Sequence, residues 1–171
     1  MGPYFERPVH SHFRKARTVC ALSLVTILVI VRVACRDDLP EPPPFAPDLV
    51  VDLSNSDRTD TGLYIEVLDE AHGDPAGRSE RVKIYYKGWL PDGKIFDSNE
   101  GEAALIVDLS KDFLIDGVME GLQGIRAGER RRLVIPPDLG YGETGDLGYV
   151  PRNSWLVYEV HRVDVGVPPS P

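Results

Sequence analysis

The sequence predicts an α+β domain, an antiparallel sheet of about five strands with one short helix, and three observations carry that expectation. Beyond Thr61, apolar residues recur at every second position in short runs, the period of a strand with one buried face. Clusters of proline, glycine and aspartate separate those runs. One stretch, DFLIDGVMEGLQGI, instead spaces its apolar residues at 115, 118, 119 and 122, which is helical.

Taken in order, the first strand is expected at 62–69, GLYIEVLD. In RVKIYYKGW the residues Val82, Ile84 and Tyr86 fall on one side, and Lys83, Tyr85 and Lys87 on the other. Pro91-Asp92-Gly93 supplies a proline-preset φ, an Asx hydrogen bond and a glycine for positive φ, a hairpin turn into Lys94-Ile95-Phe96. Further strands are expected at 104–109, 129–135 and 155–165. The last points Leu156, Tyr158 and Val160 inward and Val157, Glu159 and His161 outward. The helix has Asp116 near its start, and Gly117 and Gly121 weaken it, each by up to about 1 kcal/mol relative to alanine. Packing against the sheet must therefore hold it.

The N-terminal part has a different character. Residues 1–35 hold five basic side chains and one acid, with Arg14-Lys15-Ala16-Arg17 preceding a thirteen-residue uncharged, mostly apolar run from Val19 to Val31. That is the layout of a secretory signal, and the run is short for a membrane span of about 20 residues. Val33-Ala34-Cys35 resembles the end of a bacterial lipobox, so residues 1–35 read as a cleaved signal or as a leader lipidated at Cys35. Arg32 departs from the aliphatic residue usual in that motif. Residues 36–61, rich in proline and aspartate, read as a semi-rigid spacer. The domain proper is expected at 62–165, with a tail at 166–171.

Composition excludes several function classes. Beyond residue 35 the chain carries 14 basic and 26 acidic residues, a balance that repels a phosphate backbone and disfavours nucleic acid as a partner. Both cysteines, Cys20 and Cys35, lie in the leader, which leaves the body without a disulfide, a thiolate metal site or a cysteine nucleophile. The four histidines are scattered, and no metal site is expected. Gly140 to Gly145 spells G-x-G-x-x-G, but Pro136-Pro137 before it and Gly148 and Pro151 after it favour a looped hairpin over the helix a dinucleotide needs. Arg130-Arg131-Arg132 spans two faces of a strand and reads as solvated.

Three blocks, YYKGWLPDGKIFDSN, FLIDGVMEGLQGIRAGERRRLVIPPDLGYGETG and VPRNSWLVYEV, resemble the FKBP family of prolyl isomerases in order and spacing, across roughly residues 62–165. The opening GLYIEVLD is similar to bacterial exported members. The resemblance implies a curved antiparallel sheet wrapped around the short helix, with an apolar cleft between them. It implies that Tyr86, Phe96, Asp97 and Tyr141 carry catalysis, Asp97 as the charged group at the cleft edge and Tyr141 as a hydroxyl donor to a substrate carbonyl. It assigns substrate contact to Leu105, Leu114, Ile115, Val118, Tyr149, Val150 and Tyr158, with the Ile115 N–H meeting a ligand carbonyl. Val118 stands where many relatives have tryptophan, Leu105 at a common phenylalanine position, and Asp146 where histidine is frequent. Losing an indole lowers the expected ligand affinity by about one to two kcal/mol.

Read without the resemblance, Tyr86, Phe96 and Tyr158 also fit a plain sheet core, Asp97 a turn and Tyr141 a loop anchor. With it, the expected function is peptidyl-prolyl cis-trans isomerisation of exported proteins, in the periplasm or tethered to the membrane facing it, without cofactor, metal or covalent intermediate. Proline-containing polypeptides are the expected partners, and a monomer is expected because the long helical dimerisation arm of some relatives is absent. The alternative is a chaperone or peptide-binding module with weak isomerase activity. A metallochaperone is disfavoured, since the body has no histidine-rich tract.

Overall fold

In a computed structural model of the chain, residues 39–111 and 114–163 are described. The leader with Cys35 and the tail at 166–171 lie outside them. The described residues form one antiparallel sheet: β1 (Asp57–Arg58), β2 (Tyr64–Asp69), β3 (Arg81–Trp89), β4 (Ile95–Ser98), β5 (Leu105–Asp108), β6 (Arg130–Ile135) and β7 (Leu156–Val163). Their spatial order is β1-β2-β6-β7-β3-β4, with β5 also on β3. The single α-helix among the described residues, α1, spans Asp116–Gly121. The predicted strands are all present; the two-residue β1 and the division of one edge between β4 and β5 raise the number to seven. The proline-glycine turn forms as its residues dictate, with Lys94 N–H donating to Asp92 Oδ1 and Gly93 at φ +87°.

One face of the sheet packs on α1. Leu63, Val82, Ile84, Leu133, Ile135, Leu156 and Val160 are buried there with Val118, Leu122 and Ile125. The glycines of α1 set how close it comes: a Cβ on Gly117 would lie 2.4 Å from Ile135 Cγ2, and one on Gly121 would lie 2.5 Å from both Leu133 δ-methyls. The helix end is tied down by Arg131, whose Nη1 donates to the carbonyls of Gly121 and Gln123 while its Nε pairs with the buried Glu129 at 2.6 Å. Alternation does separate the three arginines, but Arg131 and Arg132 are largely buried rather than solvated. Arg132 bridges Glu66 and Glu159, and Arg130 bridges Asp69 and Glu159.

The other face is covered as well. The chain between 39 and 61, whose prolines mark it as a spacer, runs through two 3-10 turns, Pro47–Leu49 and Leu53–Asn55, and lays Phe45, Leu49, Val51 and Leu53 on Tyr64, Val134, Trp155 and Val157. Val157 does oppose Leu156, as period two requires, yet it is buried by this strap instead of facing water. Proline fixes φ without preventing apolar neighbours from finding an apolar surface. The strap is pinned by Ala46 N–H to Pro91 O, Arg132 Nη1 to Val50 O, and Arg58, which pairs with Glu41 and lies 5.0 Å over the Tyr64 ring. Leu49→Ala is expected to cost about 2 kcal/mol, the low end for a buried leucine because the site lies at the margin of the fold. A urea midpoint unchanged by this substitution would mean that the strap contributes no stability.

Candidate functional site

Between the sheet and α1 lies a cavity of about 320 Å³ lined by Ile84, Tyr86, Asp97, Leu114, Ile115, Val118, Tyr141 and Tyr158. Seven of the eleven residues expected at the cleft line it, and three strands, the helix with the two residues leading into it, and one loop supply them. The register of β3 builds one wall. Gly88 pairs with Asp97 on β4 and with Tyr158 on β7, so these residues share a row across three strands. A bulge follows, because the next pair is Trp89 with Ile95, which leaves Phe96 without a partner. In a regular strand Phe96 and Asp97 would face opposite sides; the bulge lets both serve the same side.

Phe96 stands edge-on to Tyr158 at 5.5 Å and to Tyr141 at 6.3 Å between ring centroids, and Tyr86 is tilted against Tyr158 at 6.2 Å. Edge-to-face contacts of this kind contribute about 0.5–1.5 kcal/mol each beyond burial. Gly88 makes the cluster possible. A Cβ there would lie 2.9 Å from Phe96 Cζ and 3.1 Å from Tyr158 Cε1. Asn99 holds Tyr86 in place: its Oδ1 accepts from Tyr86 N–H at 2.7 Å and its Nδ2 donates to Ile84 O at 3.1 Å, where β3 passes from β4 to β5. Sequence reasoning missed both residues. A glycine inside a run that otherwise alternates as a strand was the available signal for Gly88, whereas nothing local to the sequence announces Asn99.

The remaining expected residues lie around this cavity and do not line it. Leu105 pairs with Ile84 across β3 and β5 and packs at the margin of the core. Val150 is buried, Tyr149 is 63% exposed, and both belong to a loop closed by the Asp146–Val150 bridge. The G-x-G-x-x-G stretch is part of this loop. It follows the 3-10 turn Pro137–Leu139, and Gly145 N–H and Thr144 Oγ1 donate to the Tyr141 carbonyl, which anchors Tyr141 at the cavity. No α-helix begins there.

Electrostatically the cavity is a set of phenols beside one carboxylate. Burial, then the charge of Asp97 and a hydrogen bond to it, push the Tyr86 phenol up to about 12. Burial raises the Tyr141 phenol, opposed by its neighbour Tyr158, and burial followed by the charge of Tyr141 raises Tyr158 further. A folded-state pKa above the unfolded value contributes stability that is complete below the unfolded value and lost as pH rises through the folded one. For Tyr86 that window runs from 10.0 to about 12. Stability is therefore expected to fall above pH 10. Asp97→Asn should lower the Tyr86 transition while leaving it above that of an exposed tyrosine, because burial, the larger cause, remains. Tyrosine-selective NMR titration reads this directly, and a Tyr86 that ionises at the ordinary phenol value of 10.0 would contradict it.

Comparison with known proteins gives a consistent picture. Residues 73–163 match the family described as FKBP-type peptidyl-prolyl cis-trans isomerase. A "Probable FKBP-type peptidyl-prolyl cis-trans isomerase" of Haemophilus influenzae is 39% identical over 107 residues, 63% of this chain and 44% of that protein. An "FK506-binding protein" of Neisseria meningitidis serogroup B is 36% identical over 105 residues, 61% of this chain and 96% of that protein. The chain thus spans less than half of the first relative and nearly all of the second. Among solved structures, FkpA from Escherichia coli superposes with a TM-score of 0.59 at 29% identity, over 86% of this chain and 73% of that one.

Proposed function

Because the chain belongs to the family of FKBP-type peptidyl-prolyl cis-trans isomerases, we propose that its cavity accelerates rotation about X-Pro bonds in polypeptide substrates. The single observation that carries this reading is the convergence of Tyr86, Asp97, Ile115, Val118, Tyr141 and Tyr158 on one cavity of about 320 Å³. That volume is near the lower end for small-molecule sites and fits a single residue with its flanking amides.

The reaction breaks no bond. Amide resonance sets a rotation barrier of roughly 18–20 kcal/mol, and lowering it by about 5 kcal/mol accelerates exchange several-thousandfold. The planar amide is the more charge-separated form, so a dry aromatic surround destabilises it relative to the twisted one. In this reading Phe96, Tyr86, Val118 and Tyr158 exclude water from the proline ring. The Tyr141 hydroxyl and the Ile115 N–H donate to substrate carbonyls and hold the peptide while the bond turns. Asp97, engaged by Tyr86, orients the substrate at the rim and accepts no proton. Leu105, Tyr149 and Val150 serve the flanking chain from the edge of the cleft.

The substrates are proposed to be exported polypeptides, supported by the basic cluster and apolar run of residues 1–35. Intact mass of the chain recovered from a bacterial envelope separates cleavage from lipidation at Cys35, and an uncleaved cytosolic chain would contradict export. A second reading, a peptide-binding chaperone, has support in Val118 at the cavity floor and in Leu147 and Tyr149, 95% and 63% exposed on the neighbouring loop. Refolding of a protein with a proline-limited slow phase distinguishes the two. The isomerase reading requires that phase to quicken in proportion to the full-length chain added. A higher yield at an unchanged rate would favour the chaperone.

A further inference from the structure

Glu120 stands where a helix least favours an acid. It is the penultimate residue of α1, at the end where the backbone dipole places partial negative charge, and no basic residue shares that last turn. Its carboxylate has a partner in the turn that leads from the strap into β2: Thr61 Oγ1 lies 2.9 Å from both Glu120 Oε1 and Oε2. A carboxylate only accepts, so the Thr61 proton goes to Glu120. Thr59 Oγ1, 2.7 Å from Thr61 Oγ1, must then donate its own proton to Thr61, and it accepts from Leu63 N–H at 3.2 Å. The acceptor-only end of this chain sets the direction of every bond in it.

The turn that carries Thr61 is firmly braced. Thr59 N–H donates to Leu63 O at 2.8 Å, Gly62 N–H donates to Thr59 O at 3.1 Å, and Leu63 is fully buried. The helix is braced less well. Its N-cap is Ile115, a residue with no side-chain acceptor, and it rests on Ile135 and Leu133 through Gly117 and Gly121, which have no side chains to interlock. Arg131 anchors the last carbonyls, and Thr61 grips the flank through Glu120. Glu120 and Val118 lie about 200° apart around the helix axis. The glycine contact is thus a pivot, with Glu120 on one side of it and Val118, at the cavity, on the other.

We propose that Thr61, acting through Glu120, is a positioning residue for isomerisation: it fixes the rotation of α1 and so holds the Ile115 N–H and the Val118 side chain toward the substrate. The proposal rests on the isomerase reading of the cavity. Without the Thr61 hydroxyl, α1 can roll about its glycine contact, and a small misplacement of a group that holds the substrate weakens binding more than it slows the bound reaction.

The test compares Thr61→Val, Thr61→Ser, Glu120→Ala and the Thr61→Val/Glu120→Ala pair in the full-length chain, with kcat and KM measured on an X-Pro tetrapeptide. Thr61→Val keeps the shape of the side chain and is expected to leave the unfolding midpoint near wild type while raising KM roughly three- to fivefold at nearly constant kcat. Thr61→Ser, which keeps the hydroxyl, should restore KM, and Thr61→Val should add nothing on the Glu120→Ala background. An unchanged KM in Thr61→Val, a serine variant that fails to restore it, or additive losses in the pair would overturn the proposal and leave the isomerase reading standing. An inactive wild type would remove that reading and the proposed role with it. Amide NMR gives a readout independent of turnover: Thr61→Val should shift the Ile115 and Val118 resonances, and unshifted resonances would overturn the proposal.

Discussion

Replacing Gly121 with alanine is expected to destabilise the chain by about 2 kcal/mol, although the same change stabilises an isolated helix by up to about 1 kcal/mol. The sign follows from where the added methyl would go. It would lie 2.5 Å from both δ-methyls of Leu133, a fully buried residue that pairs with Tyr158 and Ile65 and has no room to retreat. Gly117→Ala meets the β-branched Ile135 at 2.4 Å and is expected to cost a similar amount. Either helix must lift from β6, and Ile115 and Val118 lift with it, so activity should fall alongside stability. Denaturant unfolding gives the first effect and tetrapeptide exchange the second. A neutral or stabilising Gly121→Ala would show that α1 does not sit on β6 as described.

Phe96→Ala is expected to reduce kcat/KM about a hundredfold, equivalent to some 2.7 kcal/mol, with a smaller effect on folding. Phe96 is only partly buried and stands on a bulge, so the sheet loses little pairing without it. The cavity loses more. Both edge-to-face contacts disappear, and Tyr141 and Tyr158 lose the ring that holds them together. Water would then reach the space where the amide must twist. Parallel measurement of the urea midpoint and of tetrapeptide turnover separates the two effects. Equal losses of stability and activity would make Phe96 a core residue and nothing more.

The strands and the proline-glycine turn were legible because both depend on local rules: period two over 81–89 and 156–163, and an Asp-Gly pair that sets its own φ. The helix was legible in position but not in its reason. Gly117 and Gly121 read as weaknesses in sequence, whereas in three dimensions they are what allows contact with Ile135 and Leu133. The strap over Val157 was missed because its prolines suggested a free spacer, and burial of Leu49 depends on a surface assembled from β2, β6 and β7. At the cavity, Phe96 and Asp97 reach one side only through a bulge, which a period-two reading cannot contain. Asn99 and Gly88 matter through neighbours on other strands. What escaped sequence reasoning is in each case a property of two or more elements together.

The most direct test of the central claim is two-dimensional exchange NMR on an X-Pro tetrapeptide with the full-length chain at a small fraction of the peptide concentration. The account predicts cis-trans exchange cross-peaks that grow with wild-type chain and largely vanish with Phe96→Ala folded under the same conditions. Cross-peaks of equal intensity with both chains, or none with folded wild type, would mean that this cavity does not turn prolyl bonds.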